Sequence, residues 1–257
     1  MTEELHPSLD PELFSDAPAR DDRWTVVDVW TECANLDDDD PDKLVEFLNR
    51  QCNEELHVLE NAARSLYEFP DAPWETRMWL ARQCSDEARH AANYGRALRR
   101  RGVDAGAYPV LSFQYRLLGK VNSLIGRLAV QNRTFEADGL DAVTHEIQVM
   151  RERGEDDLVE MYDAQHADEV VHVRFANEYI NARAKSHPLD LLAMSRALSQ
   201  CTKGFQQVFA GGGTNSTSYG IAEEWRVEAG FSPAEIEVAV EMSDKRRAAL
   251  KAQFEGE

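Results

Sequence analysis

Two stretches decide how this chain is read: DEARH at 86–90 and DEVVH at 168–172. Both spell Asp-Glu-x-x-His. Residues three apart lie on one face of a helix, so Glu87 can converge with His90, and Glu169 with His172. A carboxylate and an imidazole from one turn make half of a site for a first-row transition metal. Taken alone, DEARH reads as a salt-bridged surface turn. DEVVH alone reads the same way, with His172 packed in a core. Two copies ask whether the rest of the chain supplies matching carboxylates on matching helices.

Outward from these motifs the pattern from 41 to about 208 is helical. Helices are expected near 41–68, 74–101, 111–138, 141–153, 155–184 and 188–208. Breaks fall at Pro70 and Pro73, at RGVDAGAYP (101–109), at Gly139, at Gly154 and at SHP (186–188). No run of alternating strands is visible, so the class is all-α. Residues 1–40, rich in Pro and Asp, read as a loosely packed arm, with Trp24, Val26, Val27, Val29 and Trp30 able to dock on the body. The acidic run DDDDPD (37–42) reads as a helix start, since negative charge suits an N-terminus. Residues 41–208 form the body, and 209–257 a loop and helical extension packed on it. AGGGTNSTSYG (210–220) is a lid over an entrance or a linker between helices. The closing helical stretch begins at Ser232, with Pro233 at its first position.

A two-metal reading of the motifs requires two more glutamates, each about one helix plus a turn upstream. Glu54, Glu55 and Glu60 are available on the first helix. Glu55 stands seven after Leu48 and four before Leu59, inside the apolar stripe. Glu60 falls with Glu46, Asn53, His57 and Arg64, which reads as a solvent face, leaving Glu60 at most near the pocket. On the third helix, Leu118, Ile125 and Ala129 lead to Glu136. Glu55 precedes Glu87 by 32 residues and Glu136 precedes Glu169 by 33, which suggests two similar helix pairs about a pseudo-two-fold axis. Helical bundles build di-iron sites this way, from one Glu on each of two helices and Glu-x-x-His on each of the other two. Four buried unpaired carboxylates would be prohibitively unfavourable, and two divalent cations offset them. The six candidate ligands are therefore Glu55, Glu87, His90, Glu136, Glu169 and His172.

Metal-bound imidazoles usually donate their other ring N–H to a carboxylate. Asp86 and Asp168 suit that role, each receiving the bond from the His of the opposite motif; as plain helix residues they would face solvent. His166, three before Glu169, either edges the pocket or is an ordinary polar residue. Tyr94 and Tyr162 each sit one heptad from a ligand Glu, where core packing with a bonded hydroxyl is the usual role. Trp74 and Trp79 are expected in the core.

The formal charge is −19, from 28 basic and 47 acidic residues. Such a surface disfavours nucleic acid and anionic membranes. The basic segment RALRRRG (96–102) suits a helix C-terminus. Cys33, Cys52, Cys84 and Cys201 form no CxxC pair, which argues against a zinc ribbon or redox dithiol. Scattered cysteines and no signal peptide point to the cytoplasm. No apolar run approaches the ~20 residues of a membrane span.

On these residues the chain resembles the ferritin-like di-iron carboxylate superfamily, through Glu55, Glu87-x-x-His90, Glu136 and Glu169-x-x-His172. It is most similar to a branch catalogued as a domain of unknown function and related to tRNA-hydroxylase-like enzymes. The resemblance extends through FEADGLDAVTHEI (135–147) and EEWRVEAGFSPAEIE (223–237), so it covers roughly 45–240. That branch has a His two before its first Glu, where this chain has Asn53; with the 210–220 segment, this implies a divergent substrate pocket. The resemblance implies a ferritin-like four-helix bundle with an N-terminal arm and extra C-terminal helices. It also implies two iron ions, with Mn/Fe accepted by the same donors, and O2 as co-substrate. The expected activity is oxidation of a small molecule, with an amine or amino acid attacked at nitrogen or carbon as one option. An external electron donor and a homodimer are compatible with it. Ferroxidase chemistry in iron handling and tRNA hydroxylation are the alternatives. The paired histidines disfavour the first, and the net charge disfavours the second.

Overall fold

The computed structural model describes residues 4–37, 39–210 and 219–254. The described chain is mostly helical, as expected of an all-α class. Helix α1 spans Lys43–Glu68, α2 Trp74–Arg100, α3 Phe113–Leu118, α4 Leu124–Val130 and α5 Ala137–Arg153. Helix α6 spans Asp156–Ser186, α7 Asp190–Val208, α8 Glu223–Glu228 and α9 Pro233–Phe254. Two-residue strands β1 (Val26–Val27) and β2 (Val110–Leu111) pair in parallel. The acidic run ends where α1 begins, and α9 opens at Pro233 as expected. The expected lid or linker falls on 211–218, outside the described residues.

One helix differs from expectation. The single helix foreseen over 111–138 is broken into α3, a turn at 119–123, α4 and a π-helical turn over Gln131–Glu136. Every residue of α4 is buried, so its apolar pattern carried no boundary signal. The break foreseen at Gly139 is absent: α5 runs through it, with open space where a side chain would stand. A solvent-side glycine weakens a helix by only ~1 kcal/mol, and packing elsewhere overrides it.

The chain divides into two compact units, Met1–Gln131 with Arg183–Gly213, and Asn132–Ala182 with Thr214–Glu257. In the first, α1 and α2 pair across a turn held by prolines. Arg77 of α2 donates to the carbonyls of Leu66 and Phe69 at 3.0 and 3.2 Å, satisfying the end of α1. Trp74 was expected in the core but is 68% exposed, because it opens α2 before that helix reaches its neighbour. Trp79 is half-buried beneath Arg82. On the other side, Phe113, Phe205 and Phe209 pack with Trp30.

The arm is not loose. Leu9, Leu13 and Phe14 are buried. Asp28 accepts bonds from the His6 backbone at 2.9 Å and the Ser112 hydroxyl at 2.5 Å, and pairs with Arg116 at 2.9 Å. The α1 face read as solvent lies beneath it: Asn53 is 1% exposed and His57 0%. Asn49 holds Tyr108 O and Gly106 N at 3.0 and 2.7 Å. Asn53 donates to Leu111 O at 3.0 Å and accepts from Arg20 at 3.2 Å. Arg20 also pairs with Glu60 at 2.6 Å. Polar residues marked this face because their partners are polar, not because it is wet.

In the second unit Gly154, at φ 73°, turns α5 into α6. Ala137, Leu140, Val170, Val173 and Ala229 form a core with Trp225 and Phe231. Helix α8 is latched to α5 and α6 by polar bonds. Buried Asp141 accepts from the Ala222 backbone at 2.8 Å and pairs with Arg226 at 2.6 Å. Asn177 donates to Ala229 O at 2.8 Å. Ser232 and Glu235 form a reciprocal capping box at the head of α9. Asp141→Ala should remove about 3 kcal/mol, because it strands a largely buried guanidinium. Urea unfolding followed by Trp225 fluorescence measures this; a loss below ~1 kcal/mol would contradict the latch.

The cysteines are all free thiols. Burial pushes Cys33 up to about 12, and Cys52 and Cys201 up to about 11. Burial also raises Cys84, the half-buried one. At pH 8 the native protein should therefore show no fast thiol toward a disulfide reagent, and Cys84 should be labelled first. Mass spectrometry of the labelled chain reports the order; early labelling of Cys33 would contradict it.

Candidate metal centre

Two sulfhydryls fix the register of α1 against α2. Cys52 donates to Ala91 O at 3.4 Å and Cys84 to Leu59 O at 3.7 Å. That register sets position 55 beside 88, between Glu87 and His90. His90 Nδ1 accordingly lies 3.4 Å from Glu55 Oε2 and 3.0 Å from Glu87 Oε2. Glu87 and His90 are each 1% exposed and Glu55 6%.

The second unit holds a like triad. His172 Nδ1 lies 3.8 Å from both Glu136 Oε2 and Glu169 Oε2. Glu136 closes the π-helical turn and Glu169 sits mid-way along α6. All three side chains are buried. Within each triad the donor atoms lie within 4.8 Å of one another. Each cluster, two carboxylates and one imidazole in a dry setting, is a donor set suited to a divalent metal ion.

The family model described as "Protein of unknown function (DUF455)" matches residues 2–237. The chain belongs to the DUF455 family. No curated protein and no solved structure matches it. Among the described residues of this DUF455 chain, no helix is long and apolar enough to cross a membrane.

Other expected residues take clear positions. Asp86 is bonded by Arg82 at 3.2 Å and Arg89 at 2.9 Å on its own helix, and Asp168 is half-buried. His166 is an interior residue, packed edge-on against Trp225 at 4.4 Å. Burial holds its imidazole below the ordinary value. Thr144 gives its proton to Leu140 O at 2.8 Å, so His166 Nε2, 3.2 Å from that hydroxyl, is the donor. Tyr94 and Tyr162 are core residues, each 1% exposed.

Two residues escaped the sequence reading. Asn132 donates to Glu136 Oε2 at 3.1 Å and to His172 O at 3.3 Å. Gln165 donates to Glu169 Oε1 at 3.3 Å. Their signal was position: each stands four before a ligand candidate.

Glu60 and Glu55 should separate cleanly. Glu60→Ala should leave metal content unchanged and free Arg20, speeding tryptic cleavage of the arm. Glu55→Ala should lower metal content in elemental analysis. The opposite order would assign the α1 faces the other way.

Proposed function

We propose that the two triads act together on a pair of iron ions, in a ferritin-like bundle, and that the chain is an O2-dependent di-iron oxidase or oxygenase. The carrying observation is one buried donor set occurring twice: Glu55 with Glu87 and His90, and Glu136 with Glu169 and His172. Four carboxylates match the charge of two divalent ions, and two neutral imidazoles leave that balance intact. A manganese–iron pair suits the same donors. When bound and reduced, such a pair supplies electrons to O2. The substrate is a small molecule, with an amine or amino acid oxidised at nitrogen or carbon as the first class to screen. An external electron donor renews the reduced state.

The chain's own residues have separable tasks. The six ligands bind and orient. Buried Tyr94, one helical turn past His90, and buried Val173, next to His172, keep water from the donors. Asp86 and Asp168 orient the ligand imidazoles by accepting a ring N–H.

Elemental analysis of protein loaded anaerobically with Fe(II) should give about two metals per chain, and Glu87→Ala or His172→Ala should abolish them. Undiminished occupancy in either variant would contradict the reading. Asp86→Asn and Asp168→Asn should weaken binding on the order of 10–100-fold. Iron far above two per chain would favour storage. O2 uptake stimulated by an amine panel would support oxidation of a small molecule. Turnover on tRNA that weakens steeply with salt would favour the tRNA-hydroxylase alternative.

A further inference from the structure

Each of the four candidate ligand glutamates has an amide side chain four residues before it. Gln51 precedes Glu55, Gln83 precedes Glu87, Asn132 precedes Glu136 and Gln165 precedes Glu169. Asn and Gln together make up only 20 of 257 residues, so composition does not produce the recurrence. Helix geometry gives it a use. Every Cα–Cβ bond tilts toward the helix N-terminus, so a Glu side chain leans back over position i−4. An amide there can reach the carboxylate, while in the two Glu-x-x-His motifs the His stands three residues later, on the other side of the Glu along the helix.

The bonds are made in the second unit: Asn132 Nδ2 to Glu136 Oε2 at 3.1 Å, and Gln165 Nε2 to Glu169 Oε1 at 3.3 Å. Both amides are at least 95% buried, and Gln83 occupies the matching position at 1% exposure. Gln51 is the exception. It is half-buried and makes no bond to Glu55 among the described residues.

We propose that Asn132 and Gln165 are positioning residues of the metal centre: each pins one carboxylate oxygen through an amide N–H and so fixes the direction of the lone pairs left for a metal. The inference rests on the metal-centre reading above. An amide suits this task because it carries no charge. A Lys or Arg at i−4 would hold the carboxylate equally well, but would neutralise it and repel the cation. A serine would be too short to reach across the turn. Asn132 serves two ends, since it also donates to the backbone carbonyl of His172 at 3.3 Å. One amide thereby ties the ligand on the π-helical turn to the ligand turn of α6.

The test titrates Co(II) alone into the full chain, with calorimetry for affinity and the visible d–d bands for coordination geometry. Wild type should bind about two Co(II) per chain. Gln165→Leu and Asn132→Leu, similar in bulk but without the N–H, should bind on the order of 10–100-fold more weakly with altered d–d bands. Gln165→Asn, which keeps the N–H but shortens its reach, should fall between Leu and wild type. Gln51→Leu should match wild type within about twofold, because it has spacing but no bond. Leu variants at 132 and 165 with wild-type affinity and bands would overturn the inference and leave the metal centre standing. Equal damage from Gln51→Leu would overturn it as well, showing that position rather than the bond matters. No Co(II) bound by wild type would overturn both. Urea midpoints measured in parallel keep a general loss of folding distinct from a loss confined to metal affinity.

Discussion

Dry carboxylates are the constraint on which this protein depends. Isolated anions in a low-dielectric interior lose several kcal/mol of solvation each. The chain buries two glutamates against one histidine in each unit, and an imidazole balances at most one of the two. A sequence seeking stability alone would put Leu at Glu55 and Glu136, since apolar replacements of buried ionic groups are often neutral or better. Their burial beside a histidine gives each unit a donor set suited to a divalent cation.

The surroundings follow from the need to keep those donors in place. In the first unit, sulfur-to-carbonyl bonds from Cys52 and Cys84 lock the α1–α2 register on which the Glu55–His90 approach depends. Arg20 of the arm and the segment from Gly106 to Leu111 cover the far face of α1 through Asn49 and Asn53, so the helix is gripped on both sides. In the second unit, Asp141 clasps Arg226 and draws Trp225 onto His166, three residues from Glu169. In both cases polar bonds set the geometry and apolar contacts supply the stabilisation.

Legibility in the sequence followed periodicity. The long helices α1, α2, α6 and α7 could be read to within a few residues because each carries many turns of one pattern. Glu55 was found because a charged residue in an apolar stripe contradicts its neighbours. Periodicity failed where partners lie outside the helix. Asn53 looked solvated, yet the carbonyl and guanidinium that satisfy it come from Leu111 and Arg20, far along the chain from α1. It failed at Trp74, since a helix pattern does not say how far a partner helix extends. It also overlooked Asn132 and Gln165, since a polar residue one turn from a carboxylate looks like any other surface pair.

Glu136 is a separate lesson. The heptad from Ile125 and Ala129 pointed to it, but α4 is buried on every side, so no stripe exists there to follow. Between α4 and Glu136 the backbone widens into a π-helical turn. Such a turn accommodates one residue more than an α-helix, and one residue is worth about 100° of rotation. The direction in which Glu136 leaves the backbone is thus freed from the periodicity of the buried run before it: the swelling acts as a vernier on that one carboxylate.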